Sequence, residues 1–167
     1  MKSAIRAAFL GLLLLASAPA HANWEFTRWG MSLDQLMTFS SQGVRLATDT
    51  EKQGKRLEKW GEVLAVAPVK VNGFSYLAVF YFRDDKLSAV NLESQVRPEQ
   101  PEIARWLHRT YGTPLRNSEL PVSDRCKLNQ FAWRLSESDW RHANVFACNP
   151  QSNNDFLSIL HVPVDPR

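Results

Sequence analysis

Apolar and polar positions alternate most regularly on either side of Asn72-Gly73. Asn-Gly between two apolar runs is the strongest short hairpin signal, because a tight turn of this kind needs positive φ at both central residues. Pairing the flanks about the dipeptide sets Val63, Ala65, Ala67, Val69 and Val71 against Phe82, Phe80, Ala78, Tyr76 and Phe74 on one face. Every one of these positions is hydrophobic and small side chains largely oppose large ones, so a slip of one residue destroys the pattern. Phe80 is therefore expected to be buried opposite Ala65. The other face mixes Leu64, Val66, Pro68 and Lys70 with Ser75, Leu77, Val79 and Tyr81. Pro68 cannot donate to a ladder, which puts its strand at an edge or at a bulge. Asp84-Asp85 makes the next turn, and Leu87 to Leu92 reads as a third strand. A two-residue loop turns Leu87 and Ala89 to the core, whereas a three-residue loop turns Val90 and Leu92 there instead.

Helical spacing occurs twice. Ser32 followed by Gln35 is a capping-box pattern, Leu33, Leu36, Met37 and Ser40 share a face, and Gly43 is a stop, which predicts a helix over 33–42. It is preceded by Asn23 to Met31, an extended stretch carrying Trp24, Phe26 and Trp29. The second helix opens at Pro98 and Pro101, carries Ile103, Trp106, Leu107, Thr110 and Tyr111 as one stripe, and ends at Gly112 and Pro114. Thr48 to Lys59 reads as a solvated loop or frayed turn, and the stretch from Pro114 to Arg125 as a loop. Asn129 to Leu135, Trp140 to Cys148 and Phe156 to Val164 complete the set as strands. The order is helix, three strands, helix, three strands. The expected fold class is α+β, with two helices packed on antiparallel sheet and a tandem helix-plus-three-strand repeat as one form of it, with halves 23–97 and 98–167.

The first 22 residues carry a different pattern. Lys2 and Arg6 precede an apolar run from Ala7 to Ala16, and Ala20-His21-Ala22 offers small residues at the positions a cleavage site requires. This is the layout of a secretory signal peptide, with the working domain 23–167 beginning at Asn23 in the periplasm or outside the cell. Loss of Lys2 and Arg6 changes the charge reading. The chain has 20 Lys+Arg against 17 Asp+Glu; without the leader, 18 bases face the same 17 acids, a net charge of +1. Such a domain has no global field for nucleic acid or an anionic membrane, and no second apolar run offers a membrane span.

Cys126 and Cys148 are the two cysteines. In an exported chain they read as one disulfide. Each lies eleven residues from Glu137, so a hairpin with its tip at Ser136-Glu137-Ser138 sets them face to face. The same tip gathers Arg134, Trp140 and Arg141, and exposed Trp and Arg are favoured interface anchors. These three residues form the candidate binding patch.

Catalytic signatures are sparse. His108, His142 and His161 fall on separate elements, with no His-x-x-His or His-Glu-x-x-His spacing to hold zinc. Gly73-Phe74-Ser75 lacks the final glycine of a nucleophile elbow. Asp84-Asp85 and Asn153-Asn154-Asp155 have the composition of turns rather than of a calcium loop. No catalytic residue, metal or cofactor is assigned.

Trp29-Gly30-Met31-Ser32 leading into a helix, and Leu107-His108-Arg109-Thr110-Tyr111-Gly112-Thr113-Pro114 leaving one, resemble segments of small, mostly uncharacterised bacterial envelope proteins. The alternation of helix and antiparallel strands resembles the layout of the β-lactamase inhibitor protein and of the outer-membrane assembly lipoprotein. The chain departs from the latter in having no cysteine at the cleavage site for lipidation. The resemblance implies a non-catalytic envelope protein. The function expected from the sequence is an exported protein-interaction module, such as an inhibitor, immunity or envelope-assembly factor, whose partner is another envelope or secreted protein. The alternatives are a small hydrolase whose site is assembled only in the fold, and a carrier holding an apolar ligand between sheet and helices.

Overall fold

A computed structural model gives the fold and describes residues 24–55, 57–71, 73–94, 100–123, 126–135, 139–147 and 156–163. One antiparallel sheet of eight strands dominates it. The strands are β1 (Arg45–Leu46), β2 (Glu62–Val71), β3 (Phe74–Arg83), β4 (Lys86–Ser94), β5 (Arg116–Ser123), β6 (Cys126–Arg134), β7 (Asp139–Ala147) and β8 (Phe156–Pro163). Their order across the sheet is β1-β2-β3-β4-β8-β7-β6-β5. Two meanders therefore meet at β4 and β8, and β1 and β5 form the edges.

This corrects the expected fold class. The sheet is continuous and carries most of the chain, and it is not matched by two comparable helices packed on it. The first helix, α1, spans only Leu33–Met37. Its capping box forms as the sequence predicts, with Gln35 N–H donating to Ser32 Oγ at 3.2 Å and Ser32 N–H donating to Gln35 Oε1 at 2.8 Å. Its end comes early because Thr38 Oγ1 donates to the Gln35 carbonyl at 2.7 Å. Short polar side chains that bond the nearby backbone favour a stop over another turn. A 3₁₀ turn over Ser40–Gln42 follows, closed by Gly43 at φ +83. The helix-plus-three-strand repeat fails as well. The segment read as a loop before Arg125 holds β5, and the Thr48–Lys59 loop holds a second short helix, α2 (Asp49–Lys52), with its own capping box from Thr48 and Glu51. The third helix, α3 (Gln100–Tyr111), is the one long helix of the described residues and lies where its apolar stripe puts it.

The central hairpin has the expected register from Ala65↔Phe80 through Val71↔Phe74, and Phe80 is fully buried. A bulge between Val63 and Ala65 then shifts the pairing, so Val63 faces Tyr81 instead of Phe82 and turns to the opposite side of the sheet. A second bulge resolves the ambiguity in β4. Asp84 and Asp85, both at positive φ, form a two-residue turn that pairs Phe82 with Leu87. The shift after Tyr81 then pairs Phe80 with Val90 and Ala78 with Leu92. Leu87, Val90 and Leu92 thus all reach one core, while Ala89 joins the other.

The two faces of the sheet are covered differently. On the first, Ala65, Phe80, Val90, His161, Arg141 and Trp133 follow one another across six strands. Trp24, Leu36, Trp106 and Leu107 pack over this side, so the opening segment, α1 and α3 together roof the main core. On the second, Val66, Val79, Tyr81 and Val162 form a smaller core under Ala47, Leu57 and Trp60. The chain from Ala47 to Gly61 is fastened there. Ser88 Oγ donates to the Trp60 and Tyr81 carbonyls, and Lys55 Nζ meets Glu93 Oε2 at 2.6 Å.

Gly61 is the tightest point of that attachment. It has φ +87, and a Cβ placed on it would stand 2.0 Å from the Phe82 carbonyl oxygen. Both the conformation and the space exclude a side chain. Gly61→Ala is expected to lower stability by at least about 2 kcal/mol in urea unfolding, the middle of the range for backbone strain of this kind. Unchanged stability would contradict this close approach.

Candidate functional site

Strand alternation separates the residues that the sequence groups at the β6–β7 tip. Arg134 and Trp140 are directly paired across the two strands. Arg134 is exposed, and Trp140 is half-buried against the smaller core, beside Leu160 and Val162. Arg141, one residue on, points to the other face. It enters the main core beneath α3, where its guanidinium carbon lies 4.1 Å from the centre of the Tyr111 ring. The register of β6 and β7 is the one expected from a tip at Glu137, with Lys127 opposite Ala147 as its last described pair. Cys148 and the tip itself lie outside the described residues, as do the proposed leader and Asn153 to Asp155.

Arg141 reaches the most unusual polar group of the fold. His161 on β8 is 5 % exposed, and its Nδ1 faces Arg141 Nε at 3.2 Å and Nη2 at 3.1 Å. A guanidinium can only donate, so Nδ1 is the acceptor and the imidazole proton belongs on Nε2. Trp24 packs against the ring with centroids 6.1 Å apart. Burial, together with the Arg141 charge, holds the His161 pKa well below its ordinary value and keeps the ring neutral. A ring so fixed is a structural element, since the nitrogen that would accept a proton is already occupied.

The surroundings are aromatic. Tyr111 packs on Trp133 at 5.6 Å and on Trp106 at 5.9 Å, and Trp133 Nε1 donates to the Gly112 carbonyl at 3.0 Å, which ties the end of α3 to β6. Tyr76 is pushed up to about 12 by burial, with Tyr111 nearby, and burial raises Tyr111 against the opposing effect of Arg141. Both hydroxyls are neutral over the physiological range. Two buried nitrogens, His161 Nε2 and Trp106 Nε1, have no hydrogen-bond acceptor among the described residues. An unmatched buried donor costs about 1–3 kcal/mol.

In the sequence Arg141 reads as part of an exposed patch, and nothing local joins it to His161. The signal that could have joined them is parity. Arg141 shares a face of its hairpin with Trp133, whereas Trp140 does not, but which strand β8 adjoins is invisible locally. His108 is exposed on α3, with its ring edge-on to Phe131 at 6.0 Å. The side chain of His142 lies outside the described residues.

A second polar cluster bridges the two meanders on the opposite face. Ser158 Oγ donates to Asn91 Oδ1 at 2.6 Å, and Asn91 Nδ2 lies 3.4 Å from Glu93 Oε1, whose other oxygen holds Lys55. These groups satisfy one another and fasten β4, β8 and the 47–61 segment together.

Comparison of the chain with protein-family models, with curated proteins and with solved structures gives no match. No helix of the described residues is long and apolar enough to cross a membrane.

The buried His161 makes stability depend on pH in a definite direction. In the unfolded chain the group titrates near 6.5; in the folded protein it stays neutral well below that. Between those values the unfolded state binds a proton that the folded state refuses, so stability falls as pH falls below about 6.5. The slope is at most about 1.4 kcal/mol per pH unit for one proton. His161→Phe is expected to flatten the fall in unfolding free energy between pH 6.5 and 5. Identical slopes in the parent and the variant would contradict a neutral buried His161.

Proposed function

We propose that this is an exported, non-catalytic protein-interaction module that binds another envelope or secreted protein at the corner of the sheet where β5 and β6 meet the end of α3. The observation that carries the reading is the distribution of exposed apolar side chains. Among the described residues four large hydrophobic side chains are exposed, and three of them, Leu115, Leu120 and Leu135, belong to β5, β6 or their ends. Leu115 stands just before β5 and Leu135 just after β6, and Leu115 N–H donates to the Ala132 carbonyl at 2.8 Å. Both leucines thus lie at one corner, with Arg116, exposed Arg134 and half-buried Trp140 beside them. Apolar side chains flanked by arginine and tryptophan have the composition of an interface centre. Arg141, half-buried on the opposite face beside Tyr111 and His161, is not part of this surface.

The leucines are the better probes, because Trp140 also packs on the smaller core and its removal disturbs the fold. The double variant Leu115→Asp/Leu135→Asp is expected to melt within a few degrees of the parent and to weaken capture of a crosslinked periplasmic partner by about 2 kcal/mol or more, the hot-spot threshold. Undiminished capture of the same partner would place the interface elsewhere.

Export and the crosslink belong to the same reading. The leader pattern supports cleavage before Asn23, and the sequence positions of Cys126 and Cys148, each adjoining the Lys127↔Ala147 pair, support a disulfide. Intact-mass measurement of the periplasmic protein is expected to give the chain from Asn23 in its oxidised form, with no thiol alkylated before reduction. A species retaining Met1 counts against export, and full alkylation without reduction counts against the disulfide.

A further inference from the structure

β5 leaves one side of an eight-residue strand open. It pairs with β6 along one edge, and no described strand lies along the other. Every side chain from Leu115 to Pro121 is exposed, so neither α3 nor the 47–61 segment covers it. The opposite border of the sheet is β1, with only two residues. Shortness is one way in which edge strands avoid pairing with another chain, and β5 does not use it. Two exposed leucines stand at its two ends, Leu115 directly before the strand at 65 % exposure and Leu120 near its finish at 46 %. An antiparallel neighbour related by a two-fold axis brings the start of one β5 against the finish of the other, which puts both leucines at one seam, twice over.

Such an axis also restricts the register. Directly opposed residues share a face of the sheet, so the axis passes between a residue and its own copy. Centres at Arg116 and at Glu119 oppose like charges. A centre at Asn117 sets Leu115 against the partner's Glu119, and a centre at Leu120 carries Leu115 past the end of the partner strand. Centres nearer either end pair fewer residues. A centre at Ser118 opposes Asn117 to the partner's Glu119, Arg116 to the partner's Leu120, and Leu115 to the partner's Pro121. Glu119 is held by Lys127 at 2.8 Å and keeps acceptor positions for the Asn117 amide. The methylenes of Arg116 cover Leu120. Pro121, which has no N–H to give, falls at the end of the ladder.

We propose that β5 pairs with the β5 of a second copy of this chain, antiparallel about a two-fold axis at Ser118. The pairing consumes the long open edge of both molecules. It leaves only the two-residue β1 at each border of the doubled sheet, so the assembly closes at two. The inference goes beyond the interaction reading and does not rest on it. Leu135, Arg134 and Trp140 belong to β6, its end and β7, off the seam, and Leu115 is common to the two surfaces.

The test uses the purified protein with no other protein present, so it reads the second copy alone. Sedimentation equilibrium is expected to show a reversible monomer–dimer equilibrium and no larger species. Ser118→Cys sets a thiol opposite its own copy, where the Cα atoms of an opposed pair stand about 4.5–5.5 Å apart, within disulfide reach. Mild oxidation is expected to link this variant into dimers through the substituted position, read by peptide mass spectrometry. Arg116→Cys sets its two thiols about 14 Å apart along and across the strands and is expected to link no more than the parent. Leu120→Lys opposes a second cation to Arg116 and is expected to weaken the dimer about tenfold, since the axis repeats the like-charge pair. Its monomer is expected to melt close to the parent's. Leu120→Lys/Arg116→Glu, which makes the opposed pair one of opposite charge, is expected to restore the dimer. A monomer at every concentration, equal linkage of the Ser118→Cys and Arg116→Cys variants, or an unchanged dimer in folded Leu120→Lys overturns the proposal.

Discussion

The pairing of β4 with β8 is the constraint on which the rest of the molecule depends. Four successive pairs, from Val90↔His161 to Glu93↔Ser158, join two meanders that would otherwise each present an open edge. An edge of unpaired backbone groups next to a hydrophobic face is a liability, and the junction removes two of them at once. It also decides which side chains share a face. Val90 and Leu92 pass the main core from Phe80 across to His161 and Ile159, while Asn91 and Ser158 lock the opposite side with a hydrogen bond of 2.6 Å. The Arg141–His161 contact forms within the β7–β8 pair, and the β4–β8 junction sets it beside Val90 and Phe80.

Local elements of this fold are legible in the sequence and their assembly is not. The Asn72-Gly73 hairpin, the Ser32–Gln35 capping box and the span of α3 follow from turn chemistry, cap chemistry and periodicity, each acting within about ten residues. The β6–β7 register also follows from the position of the tip. The bulges beside Val63 and Tyr81 are not visible, because at those points adjacent residues, Val63 with Leu64 and Tyr81 with Phe82, are all apolar and either of each pair can face the main core until a second strand and a covering segment select one. β5 escapes notice for a different reason. As an edge strand with both faces largely exposed, it has no alternation to display, and Pro121 within it reads as loop chemistry although an edge tolerates it.

The candidate site shows the same division. Arg134, Trp140 and Arg141 are neighbours in the sequence, and a strand sends neighbours to opposite faces. The tryptophan and Arg134 stay on the side of the smaller core, and Arg141 crosses into the main one, where Tyr111 covers it. Placing a permanent cation beside a neutral imidazole in an aromatic layer is costly, and the cost is offset only by the surrounding structure: the cation–π contact, the two donors aimed at Nδ1, and the burial of Trp24, Trp106 and Trp133 around them. The fold therefore sets an exposed leucine and arginine corner at the sheet's edge beside a buried aromatic layer that holds Arg141 and His161.

The continuous sheet is the central claim, and cross-strand nuclear Overhauser effects test it most directly. An isotope-labelled sample should show backbone contacts linking Asn91 with Leu160 and Leu92 with Ile159, of the same strength as those linking Ala67 with Ala78 inside the first hairpin. Intact ladders within β2–β4 and β5–β8 with no contacts between β4 and β8 would contradict it, and would detach Arg141 and His161 from the core in which they are placed here.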